Sequence, residues 1–289
     1  MKKITKAVIP AAGYGTRFLP FTKAVPKEML PIIDTPAIEY NVREAINSGI
    51  TDIVVIISPE KECIKTHFKH NEGFENFLKK KGKTEELDII LEMPRIVDIK
   101  FVYQYEQLGL GHAVLCAKEF IGDDDFALLL ADDVYVGDNG PVTKDLIEAY
   151  NVKNASILGT LEVLECDIPK YGICEPLDLE VDRIQKLKGV VEKPSIKDAP
   201  SNLAIGGRYI LTNKIFKYLE SQASGASGEI QLTDSILRLM SEEDVYSYRI
   251  EGKRYDIGSK KGYLKATIDF ALDREDLKEE MKNIIENVK

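Results

Sequence analysis

The segment of residues 10–31 combines a flexible backbone with two cationic side chains. Gly13, Gly15 and Arg17 follow a short apolar run, and Lys27 lies ten residues beyond Arg17. Glycine lets the main chain approach an anion closely, and clustered N–H groups beside a guanidinium and an ammonium suit several phosphate oxygens at once. The third glycine of the dinucleotide fingerprint is replaced by phenylalanine, and the segment holds no Walker A motif. A purely structural turn would need neither cation, so the pattern predicts a phosphate-binding loop.

A pair of carboxylates, Asp132 and Asp133, stands directly after a run of apolar residues. Two carboxylates are costly at the end of a buried strand unless they bind something. A solvated pair of loop residues is the alternative. Magnesium is the better match, because Mg²⁺ takes one or two carboxylates together with phosphate oxygens and keeps several waters. The sequence therefore predicts a Mg²⁺ site at this strand end.

Composition narrows the classes of partner. The chain has 289 residues and a formal net charge of −9, which argues against nucleic acid or an anionic membrane as its main partner. No apolar stretch approaches the length of a membrane span, and the N-terminus lacks the apolar core of a secretory signal. The four cysteines show no C-x-x-C spacing, which predicts reduced thiols and a cytoplasmic location.

Strand and helix patterns alternate along the first half of the chain. A helix is predicted from residue 37 to a stop at Gly49, and the β-branched run at residues 52–58 predicts a strand buried on both faces. Residues 60–95 are charged and helical in pattern, which indicates a solvated helical insertion. The alternation predicts an α/β fold with a doubly wound, mostly parallel, Rossmann-like sheet, whose ligands bind outside the carboxyl ends of the strands.

The second half is less regular, and no linker divides it from the first, so we predict one continuous domain over residues 1–289. Its final segment, residues 263–289, carries one apolar stripe and is predicted to be a helix that packs on its own subunit or on another. The remaining predicted elements are strands near residues 156–163, 171–174, 183–191, 203–211 and 245–250, and helices near residues 214–220 and 229–240.

Six motifs in order make the chain similar to a known family. From about residue 4 to residue 270 it resembles the sugar-nucleotide pyrophosphorylases, and its second motif is most similar to the branch that transfers uridylyl groups to glucose 1-phosphate. The motifs are Gly-x-Gly-Thr-Arg, Pro-Lys-Glu-Met-Leu-Pro, Gly-Leu-Gly-His-Ala, Val-Val-Glu-Lys-Pro, Ser-Asn-Leu-Ala-Ile and Gly-Glu-Ile-Gln-Leu-Thr-Asp.

The resemblance implies a role for each matching residue. It implies a nucleotide-binding half over residues 1–135, a sugar-phosphate-binding half over residues 136–262 and a C-terminal helix that serves oligomerisation. Catalysis is assigned to Arg17, Lys27, Asp132 and Lys193. Nucleotide binding is assigned to Ala11, Ala12, Gly13, Gly15, Thr16, Gln104 and Gly109, sugar-phosphate binding to Gly172, Glu192, Lys193 and Asn202, and metal binding to Asp132 and Asp256.

The types of these residues suit such roles. A carboxylate at Glu192 can accept from two sugar hydroxyls, an ammonium at Lys193 can meet a sugar phosphate, and Gln104 offers the donor and acceptor that a uracil edge requires. Members of the family commonly have proline or glycine where this chain has Ala131, a departure of small consequence. His112, beside a predicted helix start, is interpreted as structural.

The implied reaction converts UTP and glucose 1-phosphate to UDP-glucose and pyrophosphate, with Mg²⁺ as cofactor. The sugar phosphate is already an oxyanion, so charge neutralisation and positioning are needed and a strong base is not. The implied partners are these small molecules, with no nucleic acid and no membrane, in a homodimer or homotetramer. Alternatives are a thymidylyltransferase or other sugar-1-phosphate nucleotidyltransferase, or a non-catalytic regulatory relative. A nicotinamide oxidoreductase is disfavoured, because the residues that hold its cofactor are missing.

Overall fold

The computed structural model describes residues 2–178, 183–222 and 228–288. In this part of the chain the strands are β1 (Lys6–Pro10), β2 (Pro31–Ile32), β3 (Thr35–Pro36), β4 (Asp52–Ile57), β5 (Lys100–Tyr103), β6 (Phe126–Leu129), β7 (Asp133–Val136), β8 (Ser156–Glu162), β9 (Gly172–Pro176), β10 (Ile184–Glu192), β11 (Leu203–Leu211), β12 (Val245–Arg249) and β13 (Lys253–Asp256). The helices are α1 (Ala37–Asn47), α2 (Glu62–His67), α3 (Glu72–Lys81), α4 (Thr84–Ile96), α5 (Leu110–Leu115), α6 (Lys118–Ile121), α7 (Val142–Lys153), α8 (Ile215–Glu220), α9 (Leu232–Leu239), α10 (Lys260–Asp273) and α11 (Lys278–Asn287).

Nine of these strands form one central sheet in the order β5-β4-β1-β6-β11-β8-β12-β10-β9. The first four pair in parallel, as predicted for the N-terminal half. The expectation of a mostly parallel sheet is wrong for the second half, where β11 runs antiparallel to β6 and β8, and β10 runs antiparallel to β12 and β9. The segment that joins β9 to β10 is too short for the crossover that a parallel pair requires, so the sheet is mixed.

Apolar side chains cover both faces of the sheet. On β1, Val8 contributes to one core layer and Ile9 to the other, and both are fully buried. Helices α5, α8 and α9 pack on the first face, and α1 and α7 on the second. This two-sided burial confirms the α/β class and explains why β4 reads as a continuous apolar run.

A second, two-stranded sheet was not anticipated from the sequence. Strand β7 begins directly after Asp132 and pairs antiparallel with β13, with Asp133 opposite Asp256. Helix α7 was also missed. Short strands of mixed polarity carry no periodic signal, and only the pairing itself defines them.

The charged insertion and the C-terminal segment are both subdivided. The insertion consists of α2, α3 and α4, and its first turn is anchored in the protein by Lys61, which is buried. The single predicted C-terminal helix is two helices, α10 and α11, which pack on each other. Among the described residues no helix has the length and hydropathy needed to span a membrane.

Candidate functional site

A cavity of about 1040 Å³ opens at the carboxyl ends of the central strands and is lined from both halves of the chain. This is where a doubly wound sheet is expected to bind its ligands. The predicted site residues that line it are Ala12, Gly13, Arg17, Lys27, Gln104, Gly109, Asp132, Gly172, Glu192, Lys193 and Asp256. Four other predicted residues, Ala11, Gly15, Thr16 and Asn202, do not line it.

The loop that follows β1 and carries Gly13 and Gly15, here called the glycine loop (residues 11–17), includes a left-handed backbone conformation at Gly15. Gly15 has φ of 66°, and a Cβ at this position would lie 3.2 Å from both Cβ and Cγ of Lys27. Glycine therefore allows the loop to pass close to the Lys27 side chain. Beneath the loop, the Nζ of Lys61 donates to the carbonyls of Ala11 and Gly13 and to Glu28. The charged pattern of residues 60–95 predicts a solvated helical segment at Lys61. The signal for its burial is its position shortly after the buried strand β4.

Asp132 at the end of β6 points into the cavity and pairs with the loop. The Nζ of Lys27 lies 2.5 Å from Oδ2 of Asp132. Burial alone would raise the pKa of Asp132, but the Lys27 ammonium, a backbone hydrogen bond and the charge of Arg254 together hold this pKa below its usual value. Asp132 is therefore ionised at neutral pH and available to a cation.

The small sheet brings a second carboxylate to Asp132. The N–H of Ile257, at the end of β13, donates to the carbonyl of Asp132 over 2.8 Å. A Cβ on Gly258 would lie 2.6 Å from Oδ2 of Asp132 and 3.0 Å from Oδ1 of Asp256. The two carboxylates thus flank one small space that a side chain at residue 258 would fill. Two hard oxygen donors with room for phosphate oxygens and waters fit Mg²⁺, although no group of three metal-binding side chains occurs in the described residues.

Asp133, the neighbour of Asp132, is held by a different partner. Its Oδ1 accepts from Nε of Arg254 over 2.7 Å, and Arg254 also donates to the hydroxyl of Tyr171. Burial raises the pKa of Asp133 to about 7, with Arg254 opposing this shift and the charge of Asp132 adding to it. Residue type and spacing did not distinguish the two adjacent carboxylates, and only the family resemblance assigned the metal to Asp132. In the structure their surroundings shift the two pKa values in opposite directions.

A buried arginine that sequence analysis missed supports the turn carrying both carboxylates. Arg208 is fully buried on β11, and its guanidinium donates to both carboxylate oxygens of Glu44, to Oδ1 of Asn41 and to the carbonyl of Asp133. Asn41 in turn donates to the carbonyl of Ala131 over 3.2 Å. The main chain on both sides of Asp132 is therefore fixed from below by side chains of α1 and β11.

Glu192, the last residue of β10, also lines the cavity and lies between two hydrogen-bond donors. Its Oε2 accepts from the hydroxyl of Thr233 over 2.7 Å, and its Oε1 lies 3.0 Å from Nζ of Lys193. Lys193 has φ of 44°, a strained conformation for a residue with a side chain. A Cβ on Gly172 would approach the Thr233 hydroxyl to 3.1 Å and the Glu192 carboxylate to 3.3 Å, so glycine at 172 keeps this carboxylate accessible.

The remaining predicted residues occupy defined places. Gln104 is buried, and its Nε2 lies 3.2 Å from the carbonyl of Gly109 and 3.0 Å from Nδ1 of His112, so His112 orients the amide of Gln104. Gly109 has φ of 93°, and a Cβ at this position would lie 3.0 Å from the carbonyl oxygen of Ile230. The N–H of Ile230 donates to the carbonyl of Leu108. Asn202 is exposed, and its carbonyl accepts from Val163.

A mixed α/β sheet with a glycine loop after its first strand and a carboxylate pair after β6 defines a protein of the nucleotidyltransferase type. The family model described as nucleotidyl transferase matches residues 6–272, and the chain belongs to this family. The family inferred from the motifs is thereby confirmed.

Full-length relatives point to one branch of the family. The chain is 49% identical over 289 residues to UTP–glucose-1-phosphate uridylyltransferase 2 of Staphylococcus saprophyticus, covering 100% of this chain and 99% of the relative. It is 47% identical over 288 residues to UTP–glucose-1-phosphate uridylyltransferase of Bacillus subtilis, covering 100% and 98%. The solved structure of the UTP-bound UGPase from Acinetobacter baumannii is similar with a TM-score of 0.92 at 40% identity, covering 99% of this chain and 100% of that one.

Proposed function

We propose that the protein transfers the uridylyl group of UTP to glucose 1-phosphate and releases pyrophosphate. The observation that carries this proposal is the shared cavity, which is lined by Arg17, Lys27 and Asp132 and also by Glu192 and Lys193. Relatives that align over the whole chain have this activity in their names. The enzyme is therefore a nucleotidyltransferase that joins two phosphorylated substrates.

The glycine loop and its cations are proposed to hold the triphosphate. Arg17 and Lys27 both line the cavity, and Lys27 reaches Asp132. We assign Arg17 and Lys27 to the phosphates of UTP, where they neutralise charge as the sugar phosphate oxygen attacks the α-phosphorus in line. Asp132 and Asp256 would hold Mg²⁺, which when bound neutralises further phosphate charge.

The base and the sugar are proposed to bind at the two ends of the cavity. The main chain at Ala12 and Gly13, with Gly109 and the side chain of Gln104, would recognise the uracil; Gly15 and Thr16 would shape the loop. Ala11, predicted to bind the nucleotide, would contribute only to the course of the loop, because its N–H donates to Ile56 and its carbonyl accepts from Lys61. Glu192 would accept from sugar hydroxyls beside Gly172, and Lys193 would meet the phosphate of the same sugar. Asn202 is retained as a sugar-pocket prediction, although it lies outside the cavity lining.

The proposal also covers the oligomeric state of the protein and its location in the cell. We propose a homodimer or homotetramer that uses the C-terminal helices, supported by the exposed apolar side chains of Leu264, Ile268, Ile284 and Ile285 on α10 and α11. A cytoplasmic location is supported by the four cysteines, all of which are free thiols.

An assay of substrate choice and metal dependence tests the function. Release of pyrophosphate is measured for four nucleoside triphosphates, dTTP among them, against three sugar 1-phosphates. We expect the highest rate with UTP and glucose 1-phosphate, loss of activity with a chelator and recovery with Mg²⁺. A preference for dTTP would favour the thymidylyltransferase alternative, and activity indifferent to chelation would contradict the metal assignment.

The two lysines of the site are expected to affect different substrates. Lys27→Ala should mainly lower kcat with UTP, because Lys27 lies beside Asp132 on the nucleotide side. Lys193→Ala should raise KM for glucose 1-phosphate by about tenfold or more, as expected for a lost hydrogen bond to a charged group. Steady-state kinetics with each substrate varied in turn distinguishes the two effects.

Lys188→Ala is the matched control for Lys193→Ala. Lys188 lies on β10, which ends one residue before Lys193; it pairs with Glu175 on the surface and does not line the cavity. We expect kinetics close to those of the unchanged protein. Identical effects of Lys27→Ala and Lys193→Ala on both substrates would contradict the division into two ends.

A further inference from the structure

A buried ammonium lies beneath the glycine loop. Lys61 is 6% exposed, and its Nζ makes three contacts: 2.7 Å to the carbonyl of Ala11, 2.6 Å to the carbonyl of Gly13 and 2.7 Å to Oε2 of Glu28. Glu28 is 1% exposed. All three hydrogens of the ammonium therefore have acceptors, and two of these acceptors belong to the loop itself.

The contacts of Lys61 with the loop carbonyls also determine where the neighbouring N–H groups point. In a trans peptide the C=O and the following N–H point in opposite directions within one plane. Since the carbonyls of Ala11 and Gly13 point down to Lys61, the N–H groups of Ala12 and Tyr14 point away from it. Ala12 and Tyr14 both line the cavity.

These N–H groups are unused within the part of the chain that the structure describes. In the described residues, the N–H of Ala11 donates to Ile56, whereas those of Ala12, Gly13 and Tyr14 have no acceptor. Backbone N–H groups in buried surroundings are normally paired, so the unpaired N–H of the buried Ala12 is suited to an external acceptor in the cavity. The N–H of the exposed Tyr14 points the same way and adds a second donor.

We propose that Lys61 is a positioning residue that aims the N–H groups of the glycine loop at the nucleotide. The inference rests on the proposed function, because it takes UTP as the ligand of that loop. Lys61 does not touch the ligand in this role: it orients the two peptide planes from behind. Glu28 balances its charge, so that the ammonium holds the loop without adding an uncompensated cation to the interior.

A binding experiment tests this role separately from turnover. UTP affinity is measured by calorimetry without glucose 1-phosphate on the full chain, on Lys61→Met and on the double variant Lys61→Met with Glu28→Gln. We expect both variants to bind UTP about tenfold more weakly, the size of effect expected when aligned hydrogen bonds are lost. KM for glucose 1-phosphate should stay within about twofold of the original value, because that substrate is proposed to bind at Glu192 and Lys193, which Lys61 does not contact.

The double variant distinguishes positioning from mere stability. Lys61→Met leaves the Glu28 carboxylate buried without its partner, whereas the added Glu28→Gln removes that charge and should restore much of the thermal stability. Glu28 lines the cavity, so Glu28→Gln alone is measured as well and should bind UTP normally. Weak UTP binding that then persists in the stable double variant supports the proposal. Recovery of UTP affinity together with stability would overturn it, as would unchanged affinity in Lys61→Met.

A matched control and the unchanged protein complete the design. Lys65→Met alters a lysine of α2 that contacts Tyr103 and not the loop, and it should bind UTP normally. A full chain that binds UTP but makes no UDP-glucose would refute the proposed function and leave the role of Lys61 open to the same comparison. A full chain that does not bind UTP would overturn both.

Discussion

Replacement of Asp132 by asparagine is expected to lower kcat by at least about a hundredfold, the effect typical of removing a group that stabilises charge in the transition state. The substitution keeps the shape of the side chain and removes its charge. Oδ2 of Asp132 pairs with Lys27 and lies beside the space shared with Asp256. The substitution therefore weakens both the ion pair with Lys27 and the proposed metal site. Initial rates of pyrophosphate release across a range of Mg²⁺ concentrations measure the loss.

The neighbouring carboxylate is the matched control. Asp133→Asn makes the same chemical change one residue away, where the side chain pairs with Arg254 instead of Lys27. We expect this variant to lose stability in a denaturant experiment and to retain a larger share of its activity than Asp132→Asn. If Asp133→Asn proves the more damaging change to kcat while Asp132→Asn is mild, the assignment of the metal ligand is wrong.

Replacement of Arg208 by methionine is expected to lower the free energy of unfolding by about 3–5 kcal/mol, more than any other substitution proposed for this protein. This is the range for breaking a buried ion pair by removing one partner. The guanidinium is fully buried and pairs with Glu44, so its removal leaves a buried carboxylate whose other contacts are to Thr143. It also removes the donor to the carbonyl of Asp133. The midpoint of urea unfolding should fall, and kcat should fall with it where the protein remains folded.

An exposed arginine provides the comparison. Arg274 pairs with Asp34 and Asp276 at the surface, and Arg274→Met should leave the unfolding midpoint close to that of the unchanged protein, since water screens these pairs. A second variant, Arg208→Met with Glu44→Leu, removes both buried charges and should recover part of the stability. Equal midpoints for Arg208→Met and Arg274→Met would contradict the role assigned to the buried pair.

Local patterns in the sequence determined the elements that position the site. The continuous apolar run of β4 predicted a strand buried on both faces, and the glycines and cations after β1 predicted a loop for anions. Asp132 and Asp133 were placed at a strand end because an apolar run stopped there. Each of these signals lies within a few neighbouring residues, which is the distance over which hydrophobic period and backbone conformation act.

Residues far apart in the chain carried no such signal. Arg208 lies 164 positions from Glu44, and nothing around either residue indicates that the two will meet. Lys61 appeared to belong to a solvated charged segment, and only the fold shows that its side chain turns inward under the glycine loop. Charged residues are ordinarily exposed, so burial of a paired charge is a property of the tertiary structure alone.

By itself, the sequence determined the α/β class, the order of the N-terminal elements, the family and the residue types available for binding phosphate, sugar and metal. The tertiary structure decided which of these residues meet. It made the sheet mixed, paired β7 with β13 so that Asp256 comes beside Asp132, and left Asn202 outside the cavity lining. It also gave the two adjacent carboxylates opposite shifts in pKa. The reason is that a pKa and a strand pairing depend on burial and on partners brought together by folding, whereas the sequence states only which side chains are available.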